Sequence, residues 1–257
     1  MQLKVIKNII YILFTMSCFL VLWECISRFS SIPRFLLPSP ADVGLFFKEN
    51  YITLGQHSYV TFKEVFLSLV VGCFFAFLFA LSMLMFPFLQ RAFNPIFVMS
   101  QCIPTFAIAP LIILWLGFGV ASKVVIASLM IFFPMTTNAY DGLSQTPKDY
   151  LQLAHTMNSN TWTSLRYIRI PAALPMIATG IKISVVIAPI GAVIGEWSGS
   201  SEGLGHFMMY CNSRMEVAGM FAALITLSLG AISLFYATDY SLKKALFWVH
   251  DTTHSLQ

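Results

Sequence analysis

Charge is scarce in this sequence. Asp, Glu, Lys and Arg together make up 10% of the 257 residues, against roughly 25% in a soluble globular domain. A soluble fold of this size would lack the polar groups to cover its surface. The chain is therefore read as an integral membrane protein, in line with its mean hydropathy of +0.78. Acids are nearly absent from the long apolar runs. That weighs against a proton-driven carrier, which places ionisable groups within the hydrocarbon. No phosphate-binding loop of the Walker type occurs, so the chain does not hydrolyse ATP by itself. The glycines at 199–205 follow no soluble strand and do not read as a nucleotide cradle. His57, His155 and His206 have no partners nearby in sequence, and no metal-ligand spacing is present. Cysteines at 18, 25, 73, 102 and 211 are odd in number, which argues against a disulfide framework and for small apolar filler. The net charge of +4 is modest, and its cations lie between apolar runs rather than in a nucleic-acid-binding patch.

Hydrophobic runs are what the chain has in abundance. Six spans are expected, at about 9–26, 65–86, 93–116, 121–140, 176–195 and 217–237, each near the ~20 residues that cross the bilayer core. The first is long, with no small-residue cleavage site after it, and reads as a retained span rather than a signal peptide. Glu24 falls near its end, at the interface. Leu37-Pro38-Ser39-Pro40 makes a rigid turn, and Ser39 or Asp42 starts an amphipathic helix expected to lie along the surface. The third run holds Pro95, Pro104 and Pro110, which leaves two readings: a helix broken around a cavity or interface, or one ordinary kinked span. Lys123 lies near the start of the fourth span, and Lys182 sits in the fifth, where its stem can snorkel to the headgroups. Gly191 and Gly195 form a small-residue pair suited to close helix packing.

One polar stretch interrupts this pattern. Residues 141–175 separate two membrane-length runs, yet they have helical periodicity inside. Thr146-Pro147-Lys148-Asp149 reads as a helix start, with Thr146 as the cap. Tyr150, Leu153, Ala154 and Met157 form an apolar stripe. Asn158-Ser159-Asn160 breaks the helix. Trp162, Leu165 and Ile168 or Arg169 supply a second face, which Pro171 is expected to end. With the amino terminus inside, nine cations fall on inner segments and six on outer ones. This bias places both termini and the 141–175 unit on the cytoplasmic side. Trp162 has two readings, an outside contact or packing against its own spans. Arg166 and Arg169 likewise either contact a partner or follow the charge rule.

The order of spans and this helical loop resemble the permease subunits of bacterial ABC importers, over roughly residues 35–245. Their signature is the EAA loop, Glu-Ala-Ala, three residues, Gly and a downstream Pro. Counting back from Trp162, the signature falls on Gln152-Leu153-Ala154, with Asn158 at the glycine and Pro171 downstream. Asparagine tolerates the left-handed conformation that the glycine would supply. Leu37-Pro38-Ser39-Pro40 and Pro104-x5-Pro110-x4-Trp115-Leu-Gly-Phe-Gly119 resemble the nitrate, sulfonate, taurine and thiamine-precursor branch. Residues 188–197 followed by Gly203-Leu204-Gly205 look most like permeases for hydroxymethylpyrimidine-type precursors.

The resemblance implies an all-α, six-span, type I (MetI-like) permease fold in the bacterial inner membrane. It implies a second permease subunit, such as another copy of this chain. It implies a periplasmic or lipid-anchored binding protein that delivers the solute, either a pyrimidine or a small organic anion such as a sulfonate. It also implies a pair of ATPase subunits, which bind ATP and Mg and receive the loop. Gln152, Ala154, Met157, Asn158, Trp162, Arg166, Arg169 and Pro171 are the docking candidates. Phe106, Met130, Met135 and Glu196 are candidates for lining a pathway. Two rival classes remain: a six-span secondary transporter or channel, expected to carry an inverted repeat, and a membrane-embedded enzyme, expected to gather polar groups at one depth.

Overall fold

The computed structural model describes residues 2–29, 33, 36–100 and 103–248. Arg34 and Cys102 lie outside these described residues. The architecture is helical throughout the described residues, in the order α1 (Gln2–Phe29), α2 (Pro40–Met85), α3 (Pro87–Ser100), α4 (Thr105–Leu116), α5 (Val120–Ser144), α6 (Lys148–Thr156), α7 (Thr161–Ser164), a π-helical segment (Leu165–Arg169), α8 (Ile170–Trp197), α9 (Leu204–Ser213) and α10 (Val217–Ala245). Among the described residues, four helical stretches are long and apolar enough to cross a membrane: Pro40–Met85, Val120–Ser144, Thr161–Trp197 and Val217–Ala245.

α5 and α8 form the centre of the bundle, and α2 packs along α5. Small residues permit this. A Cβ at Gly191 would come within 2.7 Å of the Ala127 Cα, and one at Gly195 within 3.1 Å of the Lys123 Cα. Both expected packing glycines therefore face the α5 backbone. Around them Val65, Ala76, Ile131, Met135, Ala139, Leu143, Ala173 and Ala192 fill a continuous core. Large apolar side chains such as Phe74, Phe75, Leu229 and Ile232 point outward, which suits a hydrocarbon surround and would be costly in water.

The segment after Ser39 departs from expectation. It does not lie apart on a surface but opens α2, a 46-residue helix interrupted only at Asn50, whose φ/ψ of −118° and 21° are non-helical. Ser39 caps it reciprocally with Asp42: the Asp42 amide donates to Ser39 Oγ at 3.1 Å, and the Ser39 amide donates to Asp42 Oδ2 at 3.0 Å. Val43 and Leu54, with Phe46 and Phe47, pack on Phe207, Met208 and Cys211 of α9 and on Ala222 and Ala223 of α10. The apolar face meets protein because Gly219 leaves room for the Phe46 ring, which would lie 2.8 Å from an added Cβ. Burial pushes the Cys211 thiol up to about 11, so it is neutral at physiological pH and acts as filler.

The proline-rich third run is broken, not merely kinked. It forms two helices of 14 and 12 residues, each too short to cross alone. Lys182 does not snorkel but pairs with Asp239 of α10, whose other oxygen lies 2.9 Å from Lys243 Nζ. Glu24 pairs with Arg28 one turn along α1.

Candidate functional site

The loop between α5 and α8 is built as a helix, a turn and a helix. α6 starts at Pro147 without a side-chain cap. The Thr146 hydroxyl instead donates back to the Leu143 carbonyl at 3.2 Å, so it closes α5 rather than opening α6. Pro147 removes one amide that would need a cap and presets its φ. α6 ends where Asn158 takes φ +55°. The Ser159 amide then donates to the Ala154 carbonyl at 3.0 Å, closing the left-handed helix stop that glycine usually supplies. Asn158→Gly is therefore expected to leave thermal stability within about 0.5 kcal/mol, whereas Asn158→Val should cost roughly 1–2 kcal/mol. Thermal unfolding of the purified variants checks the pair.

The second helix does not stop at Pro171. α7, the π-helical segment and α8 run on as one rod from Thr161 to Trp197. Pro171 has no amide, and its ring would strike the carbonyl four residues back in a regular helix. The wider π turn relieves this: the Ile170 amide donates to Leu165, five residues back. The loop is thus continuous with the central span α8, and any displacement of Trp162 is carried into it without a hinge of irregular chain.

The apolar stripe divides in two. Ala154 and Leu165 are buried, Leu165 as part of the central core, while Met157 (74% exposed), Trp162 (62%), Tyr150, Leu153 and Tyr167 stand outward. Gln152, Asn158, Arg166 and Pro171 are exposed, and Arg169 is half-buried. Trp162 therefore does not pack against its own spans. The Arg166 guanidinium lies 6.0 Å from the Tyr167 ring centroid.

The pathway candidates separate. Phe106 is exposed on α4, and Met130 is half-buried, with its sulfur 3.2 Å from the position of a Cβ at Gly191. Met135 is enclosed in the core, its sulfur seated over Gly180, and does not face open space. Glu196 is also enclosed (1% exposed). It accepts from Thr61 Oγ1 at 2.7 Å and from the Gly205 amide at 2.5 Å. The Leu204 amide donates to Thr61 Oγ1 at 2.8 Å, and the Gly203 amide to His57 Nδ1 at 3.0 Å. Beside them Lys123 pairs with Glu64 and donates to Ser200 Oγ at 2.9 Å. A polar cluster thus holds the 199–205 turn at the end of the bundle opposite the α6–α7 loop.

The sequence matches the family described as binding-protein-dependent transport system inner membrane component over residues 68–246. The chain belongs to this family. A probable ABC transporter permease protein of Haemophilus influenzae is 41% identical over 249 residues, covering 97% of this chain and all of that protein. The formylaminopyrimidine transport permease protein ThiX of Halalkalibacterium halodurans is 38% identical, covering 85% of this chain and 87% of that protein. A crystal structure of an amino acid ABC transporter with histidines superposes with a TM-score of 0.63 at 14% identity, covering 80% of this chain and 98% of that one. The fold is thus the MetI-like one of type I ABC importer permeases.

Sequence reasoning placed the permease's α6–α7 loop but missed its buried polar cluster. Lys123 read as a span-end cation and His57 as isolated. A signal was present: a lysine inside an apolar run needs a partner, and Glu64 sits in the neighbouring helix.

Proposed function

We propose that this chain is the six-span translocation subunit of an ATP-driven importer that takes up a thiamine-precursor pyrimidine. The observation that carries the coupling part is the set of outward-facing side chains Tyr150, Leu153, Met157, Trp162 and Tyr167 on a loop whose second half, from Thr161, is continuous with α8. Large apolar groups on an otherwise polar loop are suited to a groove on a soluble partner. An ATPase pair that binds ATP and Mg fits that role. Nucleotide-driven closure of the pair would move the loop, and the rod Thr161–Trp197 would carry that movement to α5 through their shared core.

The six crossings are α1, α2, the α3–α4 pair, α5, α8 and α10, with both termini and the loop in the cytoplasm of a bacterial cell. A second copy of the chain completes the pathway, with Phe106 and Met130 as lining residues. A periplasmic or lipid-anchored binding protein delivers the solute from the opposite side. The pyrimidine substrate rests on the likeness to ThiX, and a small organic anion such as a sulfonate is the alternative cargo.

Uptake of labelled formylaminopyrimidine into cells expressing the importer tests both parts. Uptake that requires the ATPase and is not competed by taurine or alkanesulfonates is expected. Uptake that persists after loss of the ATPase would sink the coupling, and competition by sulfonates would reassign the cargo.

A further inference from the structure

α9 begins without a cap of its own. Its N-cap is Gly203, which has no side chain to offer, although the first amides of a helix need acceptors. Three side chains from other helices supply them. The Gly203 amide donates to His57 Nδ1 at 3.0 Å, the Leu204 amide to Thr61 Oγ1 at 2.8 Å and the Gly205 amide to Glu196 Oε2 at 2.5 Å. His57 and Thr61 stand one turn apart on α2, so one face of α2 holds two of the three. The turn has little slack: Gly203 takes φ +105°, and a Cβ there would strike the Glu196 carboxyl.

The three acceptors differ in how they answer to acid. Thr61 has no charge to change. The ordinary value of a glutamate is about 4.3 and that of an imidazole about 6.5. Imidazole accepts at Nδ1 only when neutral, with its proton on Nε2, and the imidazolium has a donor on both nitrogens. Protonated His57 would therefore set an N–H against the Gly203 N–H. It would also put a positive charge at the positive end of α9, beside the His206 ring, whose centroid is 6.3 Å away. An alternative place exists. His57 borders a cavity of about 730 Å³ that it shares with Gln56, Tyr59 and the acid Glu202. The other charged groups nearby are engaged or turned away. Glu196 is held by Thr61 and Gly205, Lys123 pairs with Glu64, and Lys63 is exposed on α2.

We propose that His57 is an acid-released clasp on the turn that joins α8 to α9. Neutral His57 holds the Gly203 amide and with it the start of α9. Protonated His57 releases that amide and turns towards Glu202 in the cavity, leaving Thr61 and Glu196 to hold the helix start. His57 is thus a positioning residue for α9 against α2. Protons can reach it. The 46 residues of α2 extend about 69 Å, over twice the hydrocarbon thickness, and its uncharged run begins only at Val65. On the reading that the α6–α7 loop is cytoplasmic, this end meets the outside compartment.

The native fold holds the neutral ring and the unfolded chain does not, so near pH 6.5 the native state binds fewer protons. Stability from the clasp is present above that pH and lost below it. The full chain in lipid nanodiscs tests this. From about pH 8 to about pH 5.5 the melting temperature of the parent should fall about 3 °C further than that of His57→Asn, whose Oδ1 keeps an acceptor near the Nδ1 position without titrating. His206→Asn should fall with the parent. Amide exchange across residues 199–213 of the parent, corrected for its intrinsic pH dependence, should rise about fivefold on acidification, and exchange across α5 should not. The proposal is overturned if His57→Asn falls as far as the parent, which would assign the response to Glu196 or another group. Loss of the response in His206→Asn would overturn it too. So would exchange across 199–213 that does not rise in the parent, and that measurement decides even where a variant fails to accumulate.

Discussion

Trp162→Asp combined with Leu153→Asp is expected to abolish co-purification of the ATPase with the permease while leaving its level in the membrane unchanged. Both side chains stand in the open, at 62% and 60% exposure, so the bundle loses no internal contact when they change. A partner groove would lose two large apolar anchors and would have to enclose two carboxylates instead. Truncating an interface hot spot costs about 2 kcal/mol or more, on the order of thirtyfold in affinity, and burying an unpaired charge adds to this. Affinity purification with quantitation of the ATPase checks the result. Undiminished recovery together with normal uptake would remove this face from the docking role. Recovery that falls only because the permease no longer accumulates would instead show that the face packs inside the molecule.

Gly191→Leu should prevent the permease from folding. A Cβ there would lie 2.7 Å from the Ala127 Cα and 2.9 Å from its Cβ. Neither neighbour is the free end of a flexible side chain, so α5 and α8 would have to move apart along their main contact. Overpacking a tight core costs typically 1–3 kcal/mol, occasionally more, and here a whole helix interface separates. The expected outcome is a loss of monodisperse protein on detergent extraction. Gly55→Leu is the matched control, since a Cβ at that position meets nothing within 4 Å. Equal behaviour of the two variants would show that α5 and α8 do not approach at Gly191.

How far the sequence could be read depended on the range of the forces involved. Asn158 is a local case. An asparagine after an apolar helical stripe is among the few residue types that take a left-handed turn readily, and the chain turns there. Ser39 and Asp42 are another, since a reciprocal cap needs only four residues. Pro171 was misjudged although its chemistry is local. Proline forbids a regular turn, but it permits either an end or a π turn, and the packing of Leu165 and Ala173 in the core keeps the helix going. The exposed face of Trp162 was legible only as a choice between two environments. An apolar stripe says that something is covered, without saying by what.

The sequence by itself determined that the chain belongs in a membrane and that a helical unit interrupts its spans. It also placed the small-residue seam on α8. These follow from composition and from periodicities that repeat every few residues. Only the tertiary structure decided that the segment after Ser39 opens α2, that the proline-rich run splits in two, and that Glu64, Lys123 and Glu196 meet in one enclosure. Contacts between residues 64, 123 and 196 depend on how three helices are rotated about their axes. Side-chain charge sets the cost of leaving such groups unpaired, but only helix packing chooses the partner.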